Sequence, residues 1–176
     1  MDRDFITELL KPYQSVIGKH YLPYKNHVHR VLNLALAIHK DPTEEDKMKI
    51  AIAGVFHDIG LWTAGTFNYL DPSIEEATKH LQISGRDHWI EEIEMIINMH
   101  HKLSSYKGAF RQNVECFRQA DLVDVSRGLV RFGVSKEMLK ENLRMFPMAG
   151  FIRILVHMFF TNLIKNPLKP LPMLKK

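Results

Sequence analysis

Cysteine is nearly missing from this chain. Cys116 is the only one, which rules out an internal disulfide framework and fits a reducing compartment. Long apolar runs are missing as well: none reaches the ~18 uninterrupted residues that a membrane-spanning helix needs. The opening MDRDFITELLKPY is acidic and amphipathic and lacks the cationic-then-apolar order of a secretory leader. A cytoplasmic location is therefore the expectation. Nor are basic residues grouped on one face with aromatics between them. The chain has 24 Lys and Arg against 20 Asp and Glu, and the surplus is scattered until the tail KNPLKPLPMLKK. Nucleic acid is thus not an expected partner, whereas a net charge of +4 suits an anionic small molecule. Repeats and low-complexity linkers are absent too.

The 176 residues, 45% apolar and 25% charged, suffice for one globular domain with a sizeable core. The apolar spacing predicts helices almost throughout. The first covers Phe5 to Lys11 and stops near Pro12; the second runs from about Tyr24 to His39. The second is apolar around most of its circumference, as expected of a helix at the centre of a bundle. Asp41-Pro42 breaks it. Thr43 caps the next helix, with Glu44, Glu45 and Asp46 in the first turn, and this helix carries KMKIAIAGVF into His57-Asp58. SIEE (Ser73 to Glu76) reads as a capping box opening a further helix. Asp87 caps HWIEEIEMIINMHHK, and helices follow from Gln112 to Ser126, from Ser135 to Pro147, and through GFIRILVHMFFTNLIKN. The expected architecture is an all-α helical bundle over residues 1–165, with an extended tail containing Pro and Lys over 166–176.

Several polar residues fall where surface residues would not. His27, four positions before Val31 and seven before Leu34, shares the apolar face of the central helix. Asp121 follows Phe110, Val114 and Phe117 at helical spacing. A buried ionised carboxylate needs a cation, a proton or hydrogen-bond donors. His57, Asp58, His100 and His101 stand at the inner ends of their helices. A lone His on an apolar face is more often a hydrogen-bonded core residue, and Asp121 alone could pair with Arg118 or Arg127. Taken together, His27, His57, Asp58 and Asp121 supply two nitrogens and two oxygens from three helices, a set suited to one divalent ion: Mn, Fe, Co, Ni, Zn or Mg.

These residues resemble a known family. His27 followed by Arg30-Val31, then His57-Asp58-Ile59-Gly60, then Asp121 in RQADLVD, are similar to the HD-domain superfamily of metal-dependent phosphohydrolases, over about Asn26 to Val125. HDIGLWTAGTFNYLDPS also resembles a small bacterial branch of it. The resemblance implies an all-helical fold with metal ligands His27, His57, Asp58 and Asp121. It implies hydrolysis of a nucleotide or other small phosphate ester by a metal-activated water. Candidate phosphate holders are Arg30, Lys102 and Arg111.

One position departs from the family pattern. Where many HD hydrolases carry Glu, and several HD oxygenases and di-iron phosphodiesterases Lys, this chain has Leu61. The expectation is that an acid from the following segment, Asp71, Glu75 or Glu76, enters the site in its place, with Asp58, His100 and His101 as further catalytic groups. Without that Lys, and with His80 and His88 discounted as ligands, a mononuclear site is expected. Two other activities stay open: a di-iron oxygenase of the same fold, and a catalytically silent metal-binding module acting as sensor or partner-binding protein. The very apolar FIRILVHMFF is expected to pack on the bundle or on a second subunit, which would make a homodimer, before it would lie on a membrane surface.

Overall fold

Thr43 shows how local chemistry starts an element. Its hydroxyl accepts the Asp46 N–H at 3.1 Å, and the Asp46 carboxylate accepts the Thr43 N–H at 3.0 Å, a reciprocal capping box. A computed structural model of the chain describes residues 3–168 and 171–174. In order they form α1 (Arg3–Leu10), α2 (Gln14–Ile17), α3 (Tyr21–Ile38), α4 (Glu44–Phe56), α5 (Gly60–Thr63), α6 (Leu70–Ile83), α7 (Ile90–Met99), α8 (Arg111–Val125), α9 (Lys136–Met145) and α10 (Phe151–Lys165). Among the described residues there is no strand. The all-α expectation holds.

The centre of the bundle is α3 and α4. From Ile50 to Phe56 every residue of α4 is buried, and α3 buries Tyr24, His27, Val28, Val31, Leu34 and Ala35. Helices apolar on every side need neighbours on every side. α8 packs most extensively against α3, α7 lies against α4 and α8, and α6 covers α7. No helix among the described residues is long and apolar enough to cross a membrane.

Two expectations about helix starts need correction. Ser73 does not cap α6, which begins three residues earlier at Leu70. Pro72 falls in the first turn, where its missing N–H leaves no bond unmade. The Ser73 hydroxyl instead accepts the Gly60 N–H at 2.9 Å, tying α5 to α6. The fit there is close: a Cβ on Gly60 would run into the Tyr69 carbonyl oxygen and lie 3.0 Å from Pro72 Cβ and the Ser73 nitrogen. Asp87 opens a 3-10 turn (Asp87–Trp89) ahead of α7 and makes no side-chain cap bond.

α10 starts with the buried Phe151 and then lies over one end of the bundle, with Val156, Phe160 and Ile164 exposed. Of the tail expected to be extended, Lys169, Pro170, Lys175 and Lys176 lie outside the described residues. Met173 is buried in a small cluster with Leu61, Tyr69 and Leu70.

Candidate metal centre

The central helices bring the polar residues to one place. His27 projects from the middle of α3, His57 and Asp58 follow the last turn of α4, His100 and His101 follow α7, and Asp121 lies on α8. His27 and His57 are fully buried, Asp58, His100 and Asp121 nearly so, and His101 is partly exposed. Tyr24 supports the turn after α4: its hydroxyl donates to the Val55 carbonyl at 2.9 Å.

The hydrogen bonds around the imidazoles determine which nitrogen carries the proton. His27 Nδ1 lies 2.7 Å from Asp124 Oδ2, His57 Nδ1 lies 2.8 Å from the Gly54 carbonyl, and His100 Nδ1 lies 2.6 Å from the Ile97 carbonyl. Carboxylates and carbonyls only accept, so each Nδ1 is the donor and each neutral ring turns a bare Nε2 inward. Those nitrogens face one another and two carboxylates. His27 Nε2 is 3.1 Å from His57 Nε2 and 3.4 Å from Asp121 Oδ1. His57 Nε2 is 3.2 Å from Asp58 Oδ2, and His100 Nε2 is 3.6 Å from Asp58 Oδ1. Asp58 Oδ1 and His100 Nε2 are buried with no hydrogen-bond partner. Such orphaned atoms are costly unless something binds them.

This donor set fits a divalent cation. Ligand atoms from His27, His57 and Asp121 lie within 4.8 Å of one another, and so do those of His57, Asp58 and His100, and of His100, His101 and Asp121. Without a cation, a proton takes its place. Burial opposes charging His27, but Asp121 and Asp124 outweigh it and lift its pKa to about 9. Burial also opposes charging the carboxylates, yet the histidines hold Asp58 well below the ordinary range and Asp121 at about 2. His101 goes the other way: burial and the neighbouring His100 push it down to about 3. Its ring lies 2.5 Å, Nε2 to Oη, from the Tyr69 hydroxyl, which burial and Asp58 keep protonated far above 10.

Not every residue expected at the site is brought there. Arg30 is fully buried and committed to Asp124 and to the Phe146 and Pro147 carbonyls, so it positions His27 through Asp124 and is not free to hold substrate. Glu75 is exposed, and Glu76 binds the Tyr13 hydroxyl and Lys79. Asp71 is exposed on the first turn of α6. The group that the segment after Leu61 does send inward is Tyr69. Arg111 lines a separate depression with His39 and Lys40, and Lys102 offers its carbonyl to Arg118. Two contributors were missed by the sequence reading. Asp124, three residues after Asp121, shares its helix face and could have been found by that spacing. Tyr69 lies in an aperiodic stretch that carries no signal.

A cavity of about 310 Å³ opens onto the cluster, with Asp58, Asp121 and His101 at its floor and Leu61, Tyr69, Leu155, Phe159 and Met173 among its walls. An all-helical bundle enclosing a buried His–Asp cluster of this kind is a domain that could hold a metal ion. Residues 24–126, more than half of the chain, match the model of the HD domain, and the chain belongs to the HD domain family. It matches no curated protein and no solved structure. HD domains are typical of metal-dependent hydrolases, and the buried His and Asp groups here could hold a metal ion.

Proposed function

We propose that this protein is a metal-dependent phosphohydrolase that cleaves a small phosphate ester with water. One observation carries the reading: three imidazole Nε2 atoms, each turned inward because its Nδ1 donates elsewhere, converge on two carboxylates, Asp58 and Asp121, that line a cavity. His27, His57, Asp58 and Asp121 hold one divalent ion. When bound, that ion supplies Lewis acidity, lowering the pKa of a water and polarising a phosphoryl oxygen. The residues of the chain do the rest. Asp58 Oδ1, which has no protein donor, accepts the proton that the attacking water loses. Tyr69 stands on the cavity wall beside His101 and is protonated, so it can give a proton to the departing oxygen. It thereby fills the role that the sequence reading assigned to Asp71, Glu75 or Glu76.

The test is phosphate release from a panel of esters by protein stripped of metal and then reloaded with Mn, Fe, Co, Ni, Zn or Mg. Release should need one of these ions, vanish in Asp121→Ala, and drop by about 100-fold or more in Tyr69→Phe, within the span of a lost general acid. Metal-loaded protein that releases phosphate from no ester would overturn the reading.

A further inference from the structure

The floor and the walls of the cavity differ in chemistry. Among the described residues the polar groups are at the floor, in Asp58, Asp121 and His101, with the Tyr69 hydroxyl bonded to the last of these. Above them the walls are hydrocarbon and aromatic ring, supplied by Leu61, Phe67, Leu155, Phe159 and Met173. Among the described residues no lysine, arginine, asparagine, glutamine, serine or threonine lines it. Its rim is apolar as well: Val156, Phe160 and Leu171 line the cavity and are also exposed.

That distribution restricts what can bind. A nucleobase and its ribose carry donors and acceptors around their edges. Buried against these walls, those groups would lose their water and find no partner. Hydrocarbon loses nothing there and gains by leaving water. A volume of about 310 Å³ is at the small end of ligand pockets, which span roughly 300–1,000 Å³. At ~30 Å³ per water-sized group it has room for roughly ten non-hydrogen atoms. With the described wall residues uncharged, the anionic end of a ligand is met among them only at the floor.

We propose that the cavity selects the phosphate ester of an apolar alcohol, with the hydrocarbon against the α10 and Met173 wall and the phosphate at the His–Asp floor. The chemistry rests on the hydrolase reading above, whereas the binding preference rests on the walls alone. In the reaction, the water oxygen forms a bond to phosphorus as the ester P–O bond breaks. The departing alkoxide takes a proton, the water gives one up, and the products are the free apolar alcohol and inorganic phosphate.

A chain-length series has two arms. In the first, calorimetry on the metal-loaded full chain follows binding of butyl-, hexyl- and octylphosphonate, which cannot be hydrolysed, beside adenosine 5′-monophosphate. Affinity should climb by up to about fourfold per methylene until the cavity is full, and the nucleotide should bind more weakly than octylphosphonate. Leu155→Asp, with folding checked by circular dichroism, should flatten the series. Affinity independent of chain length, or a nucleotide bound more tightly, overturns the inference. In the second arm, turnover of the matching alkyl phosphates tests the hydrolase reading separately. A length-dependent first arm with no turnover leaves the apolar-ligand inference standing and removes the hydrolase reading. Turnover that is flat across chain length removes the inference and leaves the hydrolase.

Discussion

Arg30 grips Asp124 through both carboxylate oxygens, Nε to Oδ1 at 2.6 Å and Nη2 to Oδ2 at 2.9 Å, with the pair almost wholly buried. Asp124 Oδ2 is also the acceptor for His27 Nδ1. The arginine therefore orients a carboxylate that in turn orients an imidazole, and its effect on chemistry passes through His27.

That chain of contacts separates two outcomes. Asp124→Asn should weaken metal binding by about 10–100-fold, the usual range for partners that orient a ligand. Arg30→Ala should do the same and also cost about 3–5 kcal/mol of stability, because the buried Asp124 loses the guanidinium that holds both its oxygens. Metal titration and denaturant unfolding check the two effects. An Arg30→Ala protein with normal metal affinity and only a raised KM would return Arg30 to the role of substrate holder.

Metal should stabilise the fold. A ligand at 100 times its Kd contributes about 2.7 kcal/mol, which raises the Tm of a domain this size by roughly 5–10 °C. The pH dependence has a definite sign. His27, raised to about 9, stabilises the metal-free protein fully below its unfolded value near 6.5, and that contribution is lost as pH climbs through 9. His100, also raised, works in the same direction. His101, lowered to about 3, costs stability only below pH 6.5 and so leaves this interval unchanged. The Tm of metal-free protein should therefore fall from pH 6.5 to 9. Metal-loaded protein should resist that fall, since the cation replaces the proton. Calorimetric scans of both forms across that interval decide the matter.

Glu76 has a structural role. Its carboxylate accepts the Tyr13 hydroxyl at 2.8 Å and lies 2.8 Å from Lys79 Nζ. Glu76→Gln should cost about 1 kcal/mol of stability and leave kcat within about twofold, and Glu75→Gln should change neither. Unfolding curves and initial rates on the same preparations are the measurement. A kcat collapse in either variant would bring an acid back into the mechanism.

Cys116 should be inert. It is buried on α8, and burial pushes its thiol up to about 12, well above the ordinary value. At pH 8 an alkylating reagent should label the folded protein far more slowly than the urea-unfolded chain. Cys116→Ser should retain full hydrolytic activity.

The buried His and Asp positions were legible because each sets a polar side chain against an apolar pattern. His27 interrupts the stripe of Val31 and Leu34, and Asp121 that of Val114 and Phe117. Partners far apart in sequence were not legible. Arg30 reads as a candidate phosphate holder, since its acceptor is 94 residues away and only the packing of α3 on α8 joins them. The SIEE pattern misled because Pro72 is as acceptable inside a first helical turn as ahead of one. Tyr69 and the hydrocarbon walls depend on where α6 and α10 come to rest, which no local periodicity encodes.

Gly60 ends the run His57-Asp58-Ile59-Gly60, and it acts as a gauge for parts of the molecule it does not itself belong to. Its bare α-carbon sets the clearance between the turn bearing His57 and Asp58 and the start of α6, and the Tyr69 carbonyl occupies the space a methyl group would take. A thicker residue there would force the two apart and carry the Tyr69 hydroxyl away from His101. The cavity wall that Leu61 and Tyr69 share would shift with it. One absent methyl group thus sets both the placement of Tyr69 and the spacing of the cavity wall beside it.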